Sequence, residues 1–231
     1  MAIFAIGDLH LAIDERIEKP MDVFGPVWAD HDKRVSENWR RLITDEDLVI
    51  VCGDISWGLR FEEAQADLDF VAELPGQKVL IKGNHDLWWT SISKLQAYDR
   101  RMFFVQNNTF RWGDTAICGT RGWICPGTEG FEEHDQKIYD RELIRLRMSL
   151  EAGRASGAEN LICALHYPPS NDKFQPSGFT ALLEEYGVRT CVYGHLHGKE
   201  VFRKGYKGNW NGVEYKLVSL DYVNAEPVRI G

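Results

Sequence analysis

No apolar run in the 231 residues approaches the roughly 20 that a helical membrane span needs. The opening, Met-Ala-Ile-Phe-Ala-Ile-Gly-Asp, has no positive n-region, no long apolar h-region and no cleavage site, so no secretory signal is expected. Cysteine is sparse. Its five positions (Cys52, Cys118, Cys125, Cys163 and Cys191) are an odd number without a CxxC pair, and three lie inside Val/Ile/Leu-rich runs where a thiol acts as a small hydrophobe. A disulfide framework is thereby excluded, and a reduced, cytoplasmic protein is expected. Positive charge is also short: 27 Lys and Arg against 35 Asp and Glu leave a net charge of -8. That balance argues against a bulk electrostatic hold on long nucleic acid or on a membrane surface. A small anion held in one local positive site, such as a bound metal would supply, stays compatible. Long linkers, internal repeats and low-complexity tracts are missing too, so one domain over residues 1–231 is expected. Apolar residues at 44% and charged residues at 27% are ordinary globular values.

Five short apolar runs are present: Ala2–Ile6, Leu48–Cys52, Lys78–Lys82, Asn160–Leu165 and Arg189–Tyr193. They are nearly continuous rather than alternating, as in strands buried on both faces. Phe61, Ala64, Leu68 and Val71 recur at spacings of three and four, as do Tyr139, Leu143, Leu146 and Leu150, and each set predicts an amphipathic helix. Strands alternating with helices indicate an α/β layered domain. Further strands are expected at Met102–Val105, Thr115–Gly119, Val201–Lys204, Tyr215–Leu220 and Val228–Ile230, with hairpin turns at Trp112-Gly113-Asp114 and Gly208–Gly212. Leu11–Asp30 and Pro168–Ser177 read as irregular surface excursions.

The chemistry lies at the C-terminal end of each apolar run. The first ends in Gly7-Asp8-Leu9-His10, the second in Gly53-Asp54, the third in Gly83-Asn84-His85-Asp86, the fourth in His166 and the fifth in Gly194-His195-Leu196-His197. Five of the seven histidines thus stand just beyond a predicted strand, where side chains of an open α/β sheet converge on a ligand. Carboxylate, imidazole and amide oxygen together suit Mn, Fe or Zn. Each fragment alone is ordinary, since a lone Gly-Asp is usually a turn and a lone buried His usually a core residue. Five in this order are specific.

The series Asp8-x-His10, Gly53-Asp54, Gly83-Asn84-His85-Asp86, His166 and Gly194-His195-x-His197 resembles the calcineurin-like metallophosphoesterases, over residues 8 to 197. The resemblance implies a two-sheet α/β sandwich flanked by helices, with two divalent metal ions at the strand ends, Mn before Fe, Zn or Ni. It implies that the first metal takes Asp8, His10 and His197, that the second takes Asn84, His166 and His195, and that Asp54 bridges them. A metal-bridging hydroxide would then attack phosphorus in line. His85 resembles the histidine beside the leaving group, acting as general acid or charge stabiliser. Asp86 is expected to orient it and raise its pKa, with a structural cap as the alternative.

Departures from the family narrow the reaction. Asp86-Leu87-Trp88-Trp89 stands where protein Ser/Thr phosphatases have Glu-Ser-Arg, Ile55-Ser56-Trp57-Gly58 replaces their Asp-Arg-Gly continuation, and Trp57 occupies the tyrosine-ligand position of purple acid phosphatases. The lipid A pathway pyrophosphatases carry Arg where His85 stands. A small phosphorylated substrate is therefore expected, with a cyclic-nucleotide or nucleotide phosphodiesterase as the alternative, and a catalytically silent scaffold as the alternative of another class. Arg121, after another strand-like run, is a candidate for gripping a substrate phosphate. Trp57, Trp88, Trp89 and Trp123 crowd the motif ends, either to pack the ligand loops or to stack a base. His31 and His134 read as surface residues.

Overall fold

A computed structural model describes all 231 residues. In chain order its elements are β1 (Ile3–Ile6), α1 (His31–Leu42), β2 (Leu48–Cys52), α2 (Phe61–Glu73), β3 (Gln77–Ile81), α3 (Ile92–Gln96), β4 (Met102–Val105), β5 (Phe110–Trp112), β6 (Thr115–Thr120), α4 (Glu133–Ala155), β7 (Asn160–Leu165), α5 (Gly178–Glu185), β8 (Thr190–Tyr193), β9 (Gly208–Trp210), β10 (Val213–Leu217) and β11 (Val228–Arg229). They form two mixed sheets. One has the order β11-β1-β2-β3-β4, and the other β5-β6-β7-β8-β10-β9. Strands β1 to β4 are parallel, as are β6, β7, β8 and β10, whereas β5, β9 and β11 are antiparallel edge strands.

The continuous apolar runs are explained by three apolar cores between four layers, helices, sheet, sheet and helices. Alternate strand residues such as Ile3, Ala5, Ile50, Val79, Ile117, Ile162 and Val192 meet between the sheets. Their neighbours Phe4, Ile6, Val49, Val51 and Leu80 face the other way, against α1, α2 and the segments around them. On the second sheet Cys118, Cys163, Leu165 and Cys191 pack against α4 and α5. A strand covered on both faces needs apolar side chains at every position, each worth about 1.5–3 kcal/mol when fully buried.

Three expectations change. Val201–Lys204 is a 3-10 turn, not a strand: the Val201 and Phe202 N–H groups both donate to the Gly198 carbonyl, and the Gly205 N–H closes on that of Phe202, so this backbone is satisfied locally and not in a sheet. Leu11–Asp30 is irregular but not wholly a surface excursion: it contains 3-10 turns at Asp22–Phe24 and Pro26–Trp28 and buries Leu11, Met21 and Trp28. The strand expected at Tyr215–Leu220 is displaced to β10, and Ser219 instead bridges to Gly7, joining the two sheets at one edge.

Strand register decides where the motifs arrive. Ile6 pairs with Val51, and Cys52 with Ile81, so Asp8, Asp54 and Asn84 leave the first sheet nearly level. On the second sheet Thr120 pairs with Leu165 and Leu217 with Tyr193, so Arg121, His166 and His195 leave nearby.

Candidate metal centre

All seven donors singled out in the sequence converge at this edge. His10 Nε2 lies 3.4 Å from His197 Nε2 and 3.8 Å from Asp54 Oδ2. His197 Nε2 is 3.4 Å from Asp8 Oδ1. His166 Nε2 faces Asn84 Oδ1 at 2.7 Å, His195 Nδ1 at 3.2 Å and Asp54 Oδ2 at 3.4 Å. Two donor triads, Asp8–His10–His197 and Asp8–Asp54–His166, each have their ligand atoms within 4.8 Å of one another. Asp8 therefore stands in both groups, with Asp54 at the border.

The backbone is bent to achieve this. Asp8, His10, Asp54 and His195 all have left-handed φ, between 45° and 72°. Such a conformation costs a non-glycine residue on the order of 1–3 kcal/mol and persists only where its surroundings over-determine it. Two glycines make the room. A Cβ at Gly83 would collide with the Asp54 carboxylate, and one at Gly194 with that of Asp8.

The donor chemistry fits a cation. His166 Nδ1 lies 3.0 Å from the Cys52 carbonyl and donates to it, so the ring, if neutral, would turn a bare Nε2 lone pair toward the oxygen of Asn84 and the carboxylate of Asp54. Lone pairs that meet without a proton repel, and a positive charge among them resolves the conflict. Burial would raise the Asp8 and Asp54 carboxyls, but His197 and His166 respectively hold them below the ordinary carboxylate value. In return the histidines are held protonated against the effect of burial: Asp54 and Asp8 raise His166 to about 9, and Asp221 and Asp8 raise His197 to about 10. Burial pushes His10 and His195 down, to about 4 and about 3, leaving both neutral. Protons thus supply the charge that divalent ions would supply.

Asp221 is a member of the site that sequence reasoning missed. Its buried carboxylate accepts from His197 Nδ1 at 3.0 Å and from the Gly198 N–H at 2.9 Å, fixing the ring so that Nε2 points inward. The signal was there, since Asp221 also follows an apolar run. His31 is likewise no plain surface residue: its ring nitrogens reach the Trp28 carbonyl at 3.1 Å and the His10 carbonyl at 3.3 Å. His134 is exposed, as expected.

His85 sits at the mouth. Its backbone N–H donates to Asp54 Oδ1 at 2.8 Å, while its ring leans on Trp57, centroid to centroid 4.4 Å. Asp86 does not orient it. The Asp86 carboxylate turns inward and accepts the N–H groups of Gly83 (2.7 Å), Ile55 (2.9 Å) and Ser56 (3.3 Å) and the Trp88 indole (3.0 Å). It ties two site loops together, a structural role other than a cap on the following segment, and burial lowers the His85 pKa instead of raising it.

The tryptophans pack. Trp57 stacks on His10 at 4.7 Å, and Trp28 meets His10 and His197 edge-on. Trp88 and Trp89 are buried, and Trp123 donates to Asp135. A cavity of about 360 Å³ opens over the site; its lining mixes His10, His85, His197 and Asp221 with the apolar side chains of Met21, Val27, Trp28 and Trp57. Arg121 does not reach it. Its carbonyl accepts from the His166 and Tyr167 N–H groups, but its guanidinium lies over Trp123 beside Glu142 and lines a neighbouring cavity.

The family model for calcineurin-like phosphoesterases matches residues 1–199. The chain belongs to this family. Two curated relatives also match: the Gene 66 protein of Mycobacterium phage D29 is 38% identical over 85 residues, covering 36% of this chain and 40% of that protein, and its counterpart from Mycobacterium phage L5 is 32% identical over 80 residues, 35% of this chain and 37% of that protein. The match thus spans well under half the length of either. Among solved structures, TT1561 of Thermus thermophilus aligns with a TM-score of 0.56 at 13% identity, covering 85% of this chain and 82% of that one. The protein of unknown function AQ665 from Aquifex aeolicus aligns at 0.53 and 15%, covering 99% and 95%. These two share the fold of this calcineurin-like phosphoesterase. No helix is long and apolar enough to cross a membrane, and all five cysteines are free and buried.

Proposed function

We propose that the protein is a metal-dependent phosphohydrolase acting on a small phosphoester. The observation that carries this is the convergence of imidazole, carboxylate and amide lone pairs on two adjoining points, held there by strained backbone. Asp8, His10 and His197 would hold one divalent ion and Asn84, His166 and His195 the other, with Asp54 between them. When bound, such a pair clamps a phosphoryl group and acidifies a water to a nucleophile. Manganese is the first candidate.

The chain's own groups do the rest. His85, which lines the cavity with no hydrogen-bond partner on its ring, would donate an N–H to the departing oxygen. Trp28, Val27 and Trp57 form an apolar wall that suits a leaving group with a flat, apolar body. The net charge of -8 favours a small substrate over long nucleic acid or a membrane surface. Free, buried cysteines are in keeping with a reducing, cytoplasmic setting.

Elemental analysis of the Mn-loaded protein, alongside turnover of nitrophenyl phosphate, bis(nitrophenyl) phosphate and cyclic nucleotides, tests the reading. Close to two metals per chain with hydrolysis of at least one ester is expected. Full metal occupancy with none hydrolysed would make the protein a metal-binding scaffold.

A further inference from the structure

A second cavity, of about 270 Å³, lies at the same edge, between the ends of β3, β4 and β6 and the flank of α4. It shares no residue with the cavity over His85. Four cations line it: Lys82, Arg121, Arg141 and Arg145. They surround one carboxylate, that of fully buried Glu142, which accepts from Arg145 Nη1 at 2.7 Å and Thr120 Oγ1 at 2.5 Å. Arg121 and Arg141 stand off from it at 3.8 and 3.7 Å, beyond hydrogen-bond distance. The Arg121 Nε is buried with no partner at all. Lys82 and Arg141 likewise direct no hydrogen bond to the protein, so the walls carry many unpaired cationic donors.

Four positive charges against one negative leave an excess of three, inside a protein whose total is -8. Gathering like charges in a partly enclosed space is unfavourable unless an anion joins them. Guanidinium forks and an ammonium point charge are the groups that bind phosphate oxygens. We propose that this cavity is an anion site for a phosphate-class ligand, separate from the metal centre. It is linked to that centre through the chain: Lys82 is two residues from Asn84, and the Arg121 carbonyl accepts a hydrogen bond from the His166 N–H. The occupant is either a free oxyanion or a second phosphate of the substrate. Binding stands whether or not the protein hydrolyses phosphoesters; only the second source rests on the proposed function.

Isothermal titration of pyrophosphate into chelator-treated protein is the test, because it removes any contribution from metal. One site per chain is expected, weakened at least tenfold by Lys82→Met and by Arg141→Gln, with metal content on reloading unchanged. Absence of binding, or binding indifferent to both substitutions, overturns the proposal. Two substitutions on different elements guard against one misfolding. Given binding, kinetics on the Mn-loaded protein separates the sources. A KM that rises more for a bisphosphate ester than for nitrophenyl phosphate in these variants identifies the substrate's own second phosphate. An equal change for both identifies a free oxyanion.

Discussion

His85 and Asp221 touch the same cluster and should fail differently when altered. His85 offers no ring nitrogen to the donor triads, so His85→Asn is expected to keep both metals. Its loss should scale with the leaving group: roughly 10²–10⁴-fold for an alkyl phosphoester, whose alkoxide needs a hydrogen-bond donor, and far less for nitrophenyl esters. Equal losses on both substrates would instead make His85 a phosphate-holding group. Asp221 acts through His197. Without its carboxylate the ring loses both its tautomer and its orientation, and such partners typically contribute 10–100-fold in metal affinity. Asp221→Asn is therefore expected to weaken one metal by about that factor and spare the other, as read by metal titration. The sequence pointed to His85 by its place between Asn84 and Asp86. It did not single out Asp221, which follows an apolar run but lacks a neighbouring Gly or His to mark it.

At the scale of the elements, the loops after β2 and β3 are held to each other by one side chain. Asp86 accepts four N–H groups from both loops, and its burial, with Asp54 nearby, raises it to about 6. Asp86→Ala leaves those donors unpaired, and each buried orphan costs about 1–3 kcal/mol. A large fall in melting temperature with loss of metal is expected. Unchanged stability with a kinetic defect like that of His85→Asn would restore the orienting role. Helix α2 makes a similar tie: Asp67 accepts from the Ser56 hydroxyl and, at 2.8 Å, from the Ile13 N–H. Burial raises its carboxyl to about 6, so the folded state favours the protonated form. Its contribution to stability is then full below pH ~4 and declines as pH rises to about 6. In chelated protein, the stability of wild type relative to Asp67→Asn should fall across that window; a flat difference would refute it. None of these ties shows in a periodic pattern, because each joins residues from separate loops. Helix α1 was equally hidden: only Val35 and Trp39 are buried along its twelve residues.

Across the whole molecule, two sheets deliver strained, charged residues to one edge, so folding of the metal-free chain works against its own site. Divalent ions that bind only the folded form should raise stability by mass action, by about 2.7 kcal/mol at a hundredfold excess over Kd. For a chain of this size that is roughly 5–10 °C in melting temperature. Manganese is expected to give such a rise in the wild type, a chelator to reverse it, and Asp54→Asn to abolish it. A metal-independent melting curve would show that the cluster holds no ion.

What the sequence determined by itself is local. Continuous apolar runs specify doubly covered strands, and Gly-Asp, Gly-Asn-His-Asp and Gly-His-x-His each specify a ligand-rich turn, because these properties depend on neighbours along the chain. Tertiary structure alone decided the rest. Register between strands put Asp8 into both donor groups, the turn of one carboxylate made Asp86 a brace instead of a partner of His85, and packing of α4 carried Arg121 into a different cavity from His85. Those outcomes depend on which surfaces meet, and residues far apart in sequence meet only once the sheets have closed on each other.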